Sequence, residues 1–523
     1  MKAGERHAAA VGTVDLLVAG SGLAGLSAAL EACSMGARVM IVTAGQCGDG
    51  ASRHAQGGVA IPCDTDDVAM HMADTLDAGR GLCEPAAVRS IIGEAPGALS
   101  WLERLGMQFD DGCALEGGHS RARVRHREGD RTGAHMMDAV GQALLRQPNG
   151  PEIVSGHRVI ALCRTGTRIT GALIRGHCGP VQVKARAVLL ATGGLGRLYA
   201  CSSNPAGAFG EGVAVGVLAG AVARDMEFVQ FHPTVTPEGV LLTEALRGAG
   251  ARLVNAAGQY FMSRYEPELR DLAPRDVVAR AVRRETLFHG RVFLDVGKVE
   301  SLRQRFPSLA RYLDWTPGDR CPRYVPVLPA AHYGIGGLKT DLDGRTTLQG
   351  LYAAGEVAST GLHGANRLAS NSMLEALVMG RRAARAALGE LSEPGRAGRA
   401  APMRGLPRDQ ADWIPSAMEM YAGVSRSGAR LCRLQEQLSA LRRLSAECMF
   451  DGSGSESAHQ VVVAELIVRA ALLREESRGV HWRADASGDE ERDARHLELS
   501  HDPDSSDETF MNRFEPISAA LAS

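Results

Sequence analysis

The sequence predicts an α/β protein: a Rossmann-like dinucleotide-binding domain with an inserted α+β capping domain and a C-terminal helical domain. Three observations carry the prediction. An apolar run, VDLLVAG (14–20), breaks into the glycine turn GSGLAG and then into the helical pattern LAGLSAALEACSMGA. A second apolar run, RVMIVTAG (38–45), follows at once. Two later runs, AVLLATGG (187–194) and GLYAAGE (350–356), also end in glycines. Strands of one parallel sheet end this way when ligand lies at their carboxyl edge.

The first turn places Gly20, Gly22 and Gly25 in G-x-G-x-x-G register. The first glycine permits a tight turn, the second lets a pyrophosphate approach the backbone, and the third lets helix and strand pack closely. The second strand ends at Thr43-Ala44, with no acidic residue to grip a ribose, so this motif leaves NAD and FAD both open. ATGGLG (191–196) and YAAGEV (352–357) are further glycine turns after strands, and Glu356 is placed to hold a ribityl or ribose hydroxyl. A dinucleotide touched by three separated segments is better matched by a permanently held flavin than by an exchanging nicotinamide.

Residues 229–334 are richer in Pro, Arg and isolated His and interrupt the sheet pattern, which marks an inserted domain. Beyond residue 400 the pattern turns helical, in EMYAGVSRSGARLCRLQEQLSALRRL and HQVVVAELIVRAALLREESRG, with Gly479 expected as a C-terminal cap. From Asp485 to Glu508 the chain is rich in Asp, Glu and Ser and reads as a solvated acidic tail. No internal repeat is present.

Composition narrows the function classes. A chain of 523 residues calls for roughly two to four domains. Net charge −2 lacks the cationic excess that nucleic acid requires. Eleven cysteines without a C-x-x-C pair fit reduced thiols better than a metal site or a disulfide framework. With no signal-peptide pattern at the start and no apolar run of membrane-spanning length, a soluble cytoplasmic protein without a membrane partner is expected.

Several polar stretches exceed what packing needs: EGGHSR (116–121), QFHPT (230–234), LLTEALRG (241–248), LAPRDVVARA (272–281), PAAHYGIGG (329–337) and GLHGANRLASNS (361–372). Each residue alone has an ordinary structural explanation, and Arg280 on a helix reads first as an ion-pair member. Together they fit a small dianion. Arg367 is shaped to clamp one carboxylate bidentately, while His232, His332 and Thr243 supply donors for the second.

In combination these motifs, with the terminal AELIVRAALLREESRG, resemble the succinate dehydrogenase/fumarate reductase flavoprotein family from about Val14 to Arg483. The resemblance implies an FAD domain over 1–228 and 335–400, a capping domain over 229–334 and a helical domain over 405–480, while composition makes 485–523 an acidic, flexible tail. It implies FAD contacts at Gly20, Ser21, Gly22, Leu23, Ala24 and Gly25, at Ala44, Ala51 and Ser52, and at Gln56, Gly57 and Gly58. Glu211, Glu356, Ser372 and Met373 complete that set. The dicarboxylate would meet His232, Thr243, Glu244, His332 and Arg367, with Arg280 handling the proton and Glu116 orienting a substrate amine. Arginine is a poor proton carrier as a residue type, so from the residues alone Arg280 reads as an anion clamp. Glu116 has a clearer logic, because a negative side chain favours an ammonium-bearing dicarboxylate and repels succinate.

The resemblance implies the branch of the family that oxidises L-aspartate to iminoaspartate, transfers a hydride to flavin N5, and uses oxygen or fumarate as acceptor. That branch opens the quinolinate route to NAD and feeds quinolinate synthase. The alternative is the flavoprotein subunit of a succinate dehydrogenase or fumarate reductase. In that subunit a histidine five residues before the Gln of QGG bonds covalently to the flavin; counting back from Gln56 gives Ala51. A non-covalent FAD is therefore expected, with His54 an ordinary loop residue. Departures from the aspartate-oxidising pattern are Ala44 for Lys, Glu211 for Asp, a shortened His232–Thr243 spacing and GIGG after Tyr333.

Overall fold

The computed structural model describes residues 13–177, 179–313, 323–391, 398–400, 405–447, 454–486, 494–505 and 509–518. Its centre is an eight-stranded sheet. Strand Val14–Ala19 pairs in parallel with Val39–Thr43 on one side and with the end of Gly179–Leu190 on the other. Glu152–Ser155 extends it beyond Val39–Thr43, and Leu351–Ala353 joins Val188–Leu190, both in parallel. The long Gly179–Leu190 strand also runs antiparallel to Arg168–Gly176 in its first half.

Alternate residues of these strands feed two different cores. Leu17, Ala19, Met40, Val42 and Leu190 face one way, while Leu16, Val18, Ile41 and Leu189 face the other. Side chains alternate along a strand, so a sheet covered on both faces reads as an unbroken apolar run. Helices Leu23–Ser34 and Asn371–Gly389 cover the second face. Glu211–Leu218 and Ser455–Leu473 cover the first. The C-terminal helices thus share the core of the sheet, and Ser455–Leu473 is buried almost all round.

A four-stranded antiparallel sheet lies between residues 229 and 334, in the order Val229–Val235, Tyr324–Gly334, Val292–Asp295, Arg252–Asn255. Helix Arg275–His289 packs on it, and the fully buried members of its apolar cluster all fall between Leu242 and Val327. The long strand Tyr324–Gly334 carries His332 back toward the main sheet.

Two expectations for the end of the chain are corrected. The last helix stops at Leu473, not at Gly479. Arg474 is extended and buried, bound to Glu227 and Glu476, and this fixed cation ends the helix. Gly479 instead adopts φ +52°, and a Cβ there would lie 2.3 Å from the carbonyl oxygen of Ala365.

The expected acidic tail contains a β-hairpin. Arg495–Ser500 pairs with Met511–Pro516 and with Ala223–Arg224. Leu497, Leu499 and Phe510 enter the core, and His496 lies between Asp225 (2.5 Å) and Glu84 (3.1 Å). The HLEL alternation supplies an inward face that the surrounding acidic composition hides. Residues 487–493, 506–508 and 519–523 of that segment lie outside the described residues. Among the described residues no helix is long and apolar enough to cross a membrane.

Candidate active site

The carboxyl ends of the parallel strands open onto one cavity of about 650 Å³, well within the range of ligand sites. Gly20, Thr43, Ala191 to Gly194 and Ala354 to Glu356, the continuations of four strands, line its floor. Gly20 has φ +107°, and a Cβ there would lie 2.2 Å from the carbonyl oxygen of Ala191. At Gly25 a Cβ would lie 2.1 Å from the Gly20 carbonyl oxygen. Gly25 therefore serves close helix–strand packing and, unlike the other expected cofactor residues, does not border the cavity.

The rest of the expected cofactor set does border it: Ser21, Gly22, Leu23 and Ala24, then Ala44, Ala51 and Ser52, and Gln56, Gly57 and Gly58. Gly22 caps helix Leu23–Ser34 without a side-chain hydrogen bond, so the helix N-terminus faces the space. Ser52 Oγ accepts from the Leu23 amide at 3.1 Å. Glu211, Glu356, Ser372 and Met373 lie on the same wall. His54 lines it too, which its place two residues before Gln56 did not reveal.

This lining suits a dinucleotide. Arg158 Nη1 donates to Glu211 Oε2 at 3.0 Å, while Glu211 Oε1 and Thr192 Oγ1 are buried without a hydrogen-bond partner. Unmet buried acceptors of this kind are what ligand hydroxyls satisfy. Burial raises the Glu211 carboxyl, against the pull of Arg158. Glu356 Oε1 accepts from the Gly334 amide at 2.8 Å, and burial raises its carboxyl to about 7.

At the far end His232, Thr243, Glu244, His332 and Arg367 meet, with Glu116 beside them. Arg367 is buried, its Nε lacks a hydrogen-bond partner, and among the described residues it pairs with no acid. Its Nη1 donates to Ser372 Oγ at 3.2 Å. Burial, and then Arg275, lower it to about 10. Burial holds both histidines well below their ordinary range, aided by Arg275 and Arg367, so they are neutral. The Thr234 amide donates to His232 Nδ1 at 3.3 Å, which leaves the proton on Nε2 as a donor. His332 Nδ1 is 2.8 Å from Ser203 Oγ.

The structure replaces one expected residue. Arg280 does not border the cavity: it pairs with Asp276 at 2.9 Å, lies 4.7 Å from the Trp482 ring, and is a quarter exposed. Arg275 of the same LAPRD motif takes its place on the cavity wall. It binds Glu244 Oε2 through Nε at 2.8 Å and Gln230 Oε1 through Nη1 at 3.1 Å. Five residues along an α-helix turn a side chain by about 140°, so only one of the two arginines can face the site. Arg247 lies behind, 3.1 Å from Glu244 Oε1. Burial works against the Glu244 charge, but Arg275 and Arg247 outweigh it and hold the carboxylate ionised.

Glu116 is held from the opposite side. Its Oε2 accepts from Ser370 Oγ at 2.7 Å, while the buried Oε1 has no hydrogen-bond partner and lies 3.7 Å from His126 Nε2. Ser370 sits at φ +62°, a strained conformation for serine. The flanking residues fix it, with His119 Nε2 at 2.9 Å from the Ala369 oxygen and His71 Nε2 at 2.7 Å from Asn371 Oδ1. Gln230, Ser370 and Arg275 were not singled out from the sequence; the helical phase of LAPRDVVARA was the one available signal.

Glycine cradle, doubly covered sheet and cationic pocket together define a flavin-dependent oxidoreductase fold. A family model described as an FAD binding domain matches residues 15–373, and one described as a fumarate reductase flavoprotein C-terminus matches 413–517. L-aspartate oxidases are similar over most of their length. That of Mycobacterium tuberculosis is 41% identical over 90% of this chain and 92% of its own, and that of Caulobacter vibrioides 43% over 90% and 93%. Among solved structures, a quinol–fumarate reductase chain superposes with a TM-score of 0.88 at 28% identity, covering 98% of this chain and 99% of its own. A chain of the Mycobacterium smegmatis Sdh1 complex gives 0.81 at 30%, covering 97% and 94%. The chain belongs to the L-aspartate oxidase family of FAD-dependent flavoproteins.

Proposed function

We infer that the protein oxidises L-aspartate to iminoaspartate with FAD, the first step of NAD biosynthesis through quinolinate. The observation that carries this reading is the pairing of Arg367, a buried cation without an acid partner, with Glu116, a buried carboxylate with one unmet oxygen, on one cavity. A dicarboxylate that also bears an ammonium group satisfies both.

When bound, FAD supplies the two-electron acceptor for the substrate Cα–H and passes the pair to dioxygen or fumarate. Gly20 to Ala24, Gln56 to Gly58, Glu211, Glu356, Ser372 and Met373 are the residues proposed to hold it. The hold is non-covalent, since Ala51 stands at the attachment position. Arg367 and Arg275 bind the substrate carboxylates, with His232, His332 and Thr243 adding neutral donors. Glu244 fixes the Arg275 guanidinium in place. Glu116 Oε1 accepts from the ammonium nitrogen and sets which face of Cα is presented. Arg275, not Arg280, is proposed for the proton-handling role.

Succinate gains nothing from Glu116 and meets its charge, which favours aspartate over the succinate dehydrogenase reading. Iminoaspartate hydrolyses readily, so a consuming enzyme must take it promptly, and we assign that step to quinolinate synthase in the cytoplasm, without a membrane or nucleic-acid partner. Under air the holoenzyme should release one hydrogen peroxide and, after imine hydrolysis, one oxaloacetate and one ammonia per aspartate. Peroxide without oxaloacetate would overturn the reading.

A further inference from the structure

Two of the cysteines that look scattered in sequence meet in space. Cys63 and Cys113, fifty residues apart, bring their Sγ atoms to 3.5 Å. Neither borders the cavity. They lie on segments that flank one short strand. Val59–Ala60 pairs with Val124–Arg125, and Ala114 bridges Val124 from the other side. The Ile61 amide donates to the Arg123 oxygen at 3.1 Å, and Ala114 and Val124 exchange both backbone bonds.

The framework beneath is rigid. Asp67 accepts from the Cys63 amide at 2.9 Å and binds the fully buried Arg123, which also reaches Asp74 at 2.5 Å. The two sulfurs are thus held together by backbone and buried ion pairs. Cys63 is exposed and Cys113 partly buried. Burial, with the neighbouring Cys63, raises the Cys113 thiol. Cys63 is therefore the sulfur that a solute meets first, with Cys113 in place to resolve. Among the other described cysteines Cys33, Cys83 and Cys163 are buried, Cys47 and Cys201 are half-buried, and the exposed Cys432 has no second described sulfur against it.

We propose that Cys63 and Cys113 form a dithiol site for hydrogen peroxide and close to a reversible disulfide. The Cys63 sulfur attacks one peroxide oxygen, the O–O bond breaks, and the departing hydroxide takes up the thiol proton as water. The resulting sulfenic acid is attacked by Cys113; the S–S bond forms, the S–O bond breaks, and a second water leaves. Two thiols and one peroxide give one disulfide and two waters. The site stands on its own geometry, but its source of oxidant rests on the aspartate reading, because oxidation by dioxygen releases one peroxide per turnover. Cys113 lies three residues before Glu116, so the crosslink forms in the segment that carries the amine-binding carboxylate.

The test uses reduced holoenzyme treated with a few equivalents of hydrogen peroxide, alkylated, and mapped by non-reducing peptide mass spectrometry. The expected result is a Cys63–Cys113 linked peptide pair two hydrogens lighter than the free thiols. Dithiothreitol should reverse it, and Cys63→Ser should remove it. Both cysteines fully alkylated at a dose that oxidises Cys432, or Cys63 joined to a different cysteine, would overturn the proposal. L-aspartate under air should form the same link, and catalase should suppress it. A link with added peroxide but none during turnover leaves the dithiol site standing and counts against aspartate oxidation by dioxygen.

Discussion

The guanidinium carbon of Arg367 lies 4.5 Å from the centre of the Tyr333 ring, an aromatic neighbour where a buried arginine ordinarily has a carboxylate. Tyr333 is itself kept neutral: burial, and then Glu375, push its phenol well above the usual range. The cation is held by a ring face and one serine, and its remaining donors are left for a ligand. Removing it should therefore cost substrate rather than cofactor. Arg367→Ala is expected to lower kcat/KM for aspartate by about 2–5 kcal/mol, roughly 30-fold to 5,000-fold. Flavin content should stay near that of the parent. Loss of flavin with unchanged aspartate kinetics in the residual holoenzyme would contradict the assignment.

Arg275 and Arg280 make a sharper pair. Arg275→Gln removes a cavity-wall cation bound to Glu244, and kcat/KM should fall by at least about 100-fold, in the range of lost charge-stabilising donors. Arg280→Gln breaks an i,i+4 pair with Asp276, worth about 0.3–0.5 kcal/mol, a hydrogen bond from Nη1 to the Gly479 oxygen at 3.3 Å and the contact with Trp482, none of them on the cavity wall. Turnover should stay within about threefold of the parent. Steady-state kinetics of both variants decide it, and the reverse ranking would restore the assignment made from sequence.

Glu116 separates the two substrates of the reading. Glu116→Gln keeps the shape but loses a charge-assisted bond to ammonium, worth about 1.5–3 kcal/mol, or roughly 10-fold to 150-fold. Aspartate oxidation should fall by that factor while fumarate reduction, which involves no ammonium, changes much less. Equal losses in both assays would remove Glu116 from amine recognition.

The hairpin at the end of the chain adds a pH dependence. Burial disfavours the His496 charge, but Asp225 and Glu84 outweigh it, with Arg224 opposing them, and raise the imidazole to about 9. A folded-state value above the unfolded value of 6.5 stabilises fully below pH 6.5, and this contribution is lost as pH rises through about 9. The shift corresponds to on the order of 3 kcal/mol. Thermal melts of the parent should fall between pH 6.5 and 9. His496→Gln should melt lower at pH 6 and lose less over that interval; parallel curves would exclude the linkage.

What could be read from the sequence was what is local. Gly20, Gly22 and Gly25 announce their turn by their spacing, although only Gly25 packs on a near neighbour, the Gly20 carbonyl oxygen, while Gly20 packs on that of Ala191, and the strands are mostly apolar because both sheet faces are covered. The phase of LAPRDVVARA was harder. Choosing Arg275 over Arg280 needs the helix rotation and the position of Gln230 and Glu244 on other elements. Ser370 was hidden for a related reason, since its strained backbone depends on His71 and His119, about 300 and 250 residues away in the chain. At the C-terminus, acidic composition masked HLEL, whose strand is fixed by its hairpin partner Met511–Pro516 and by the distant Ala223–Arg224, Asp225 and Glu84.

FAD and an ammonium-bearing dicarboxylate are proposed to share one cavity. Anaerobic addition of L-aspartate to the yellow holoenzyme tests it most directly. The oxidised flavin absorbance should be lost with L-aspartate and return on admitting air or fumarate, with no bleaching by succinate at the same concentration. Bleaching by succinate but not by aspartate would contradict the proposal.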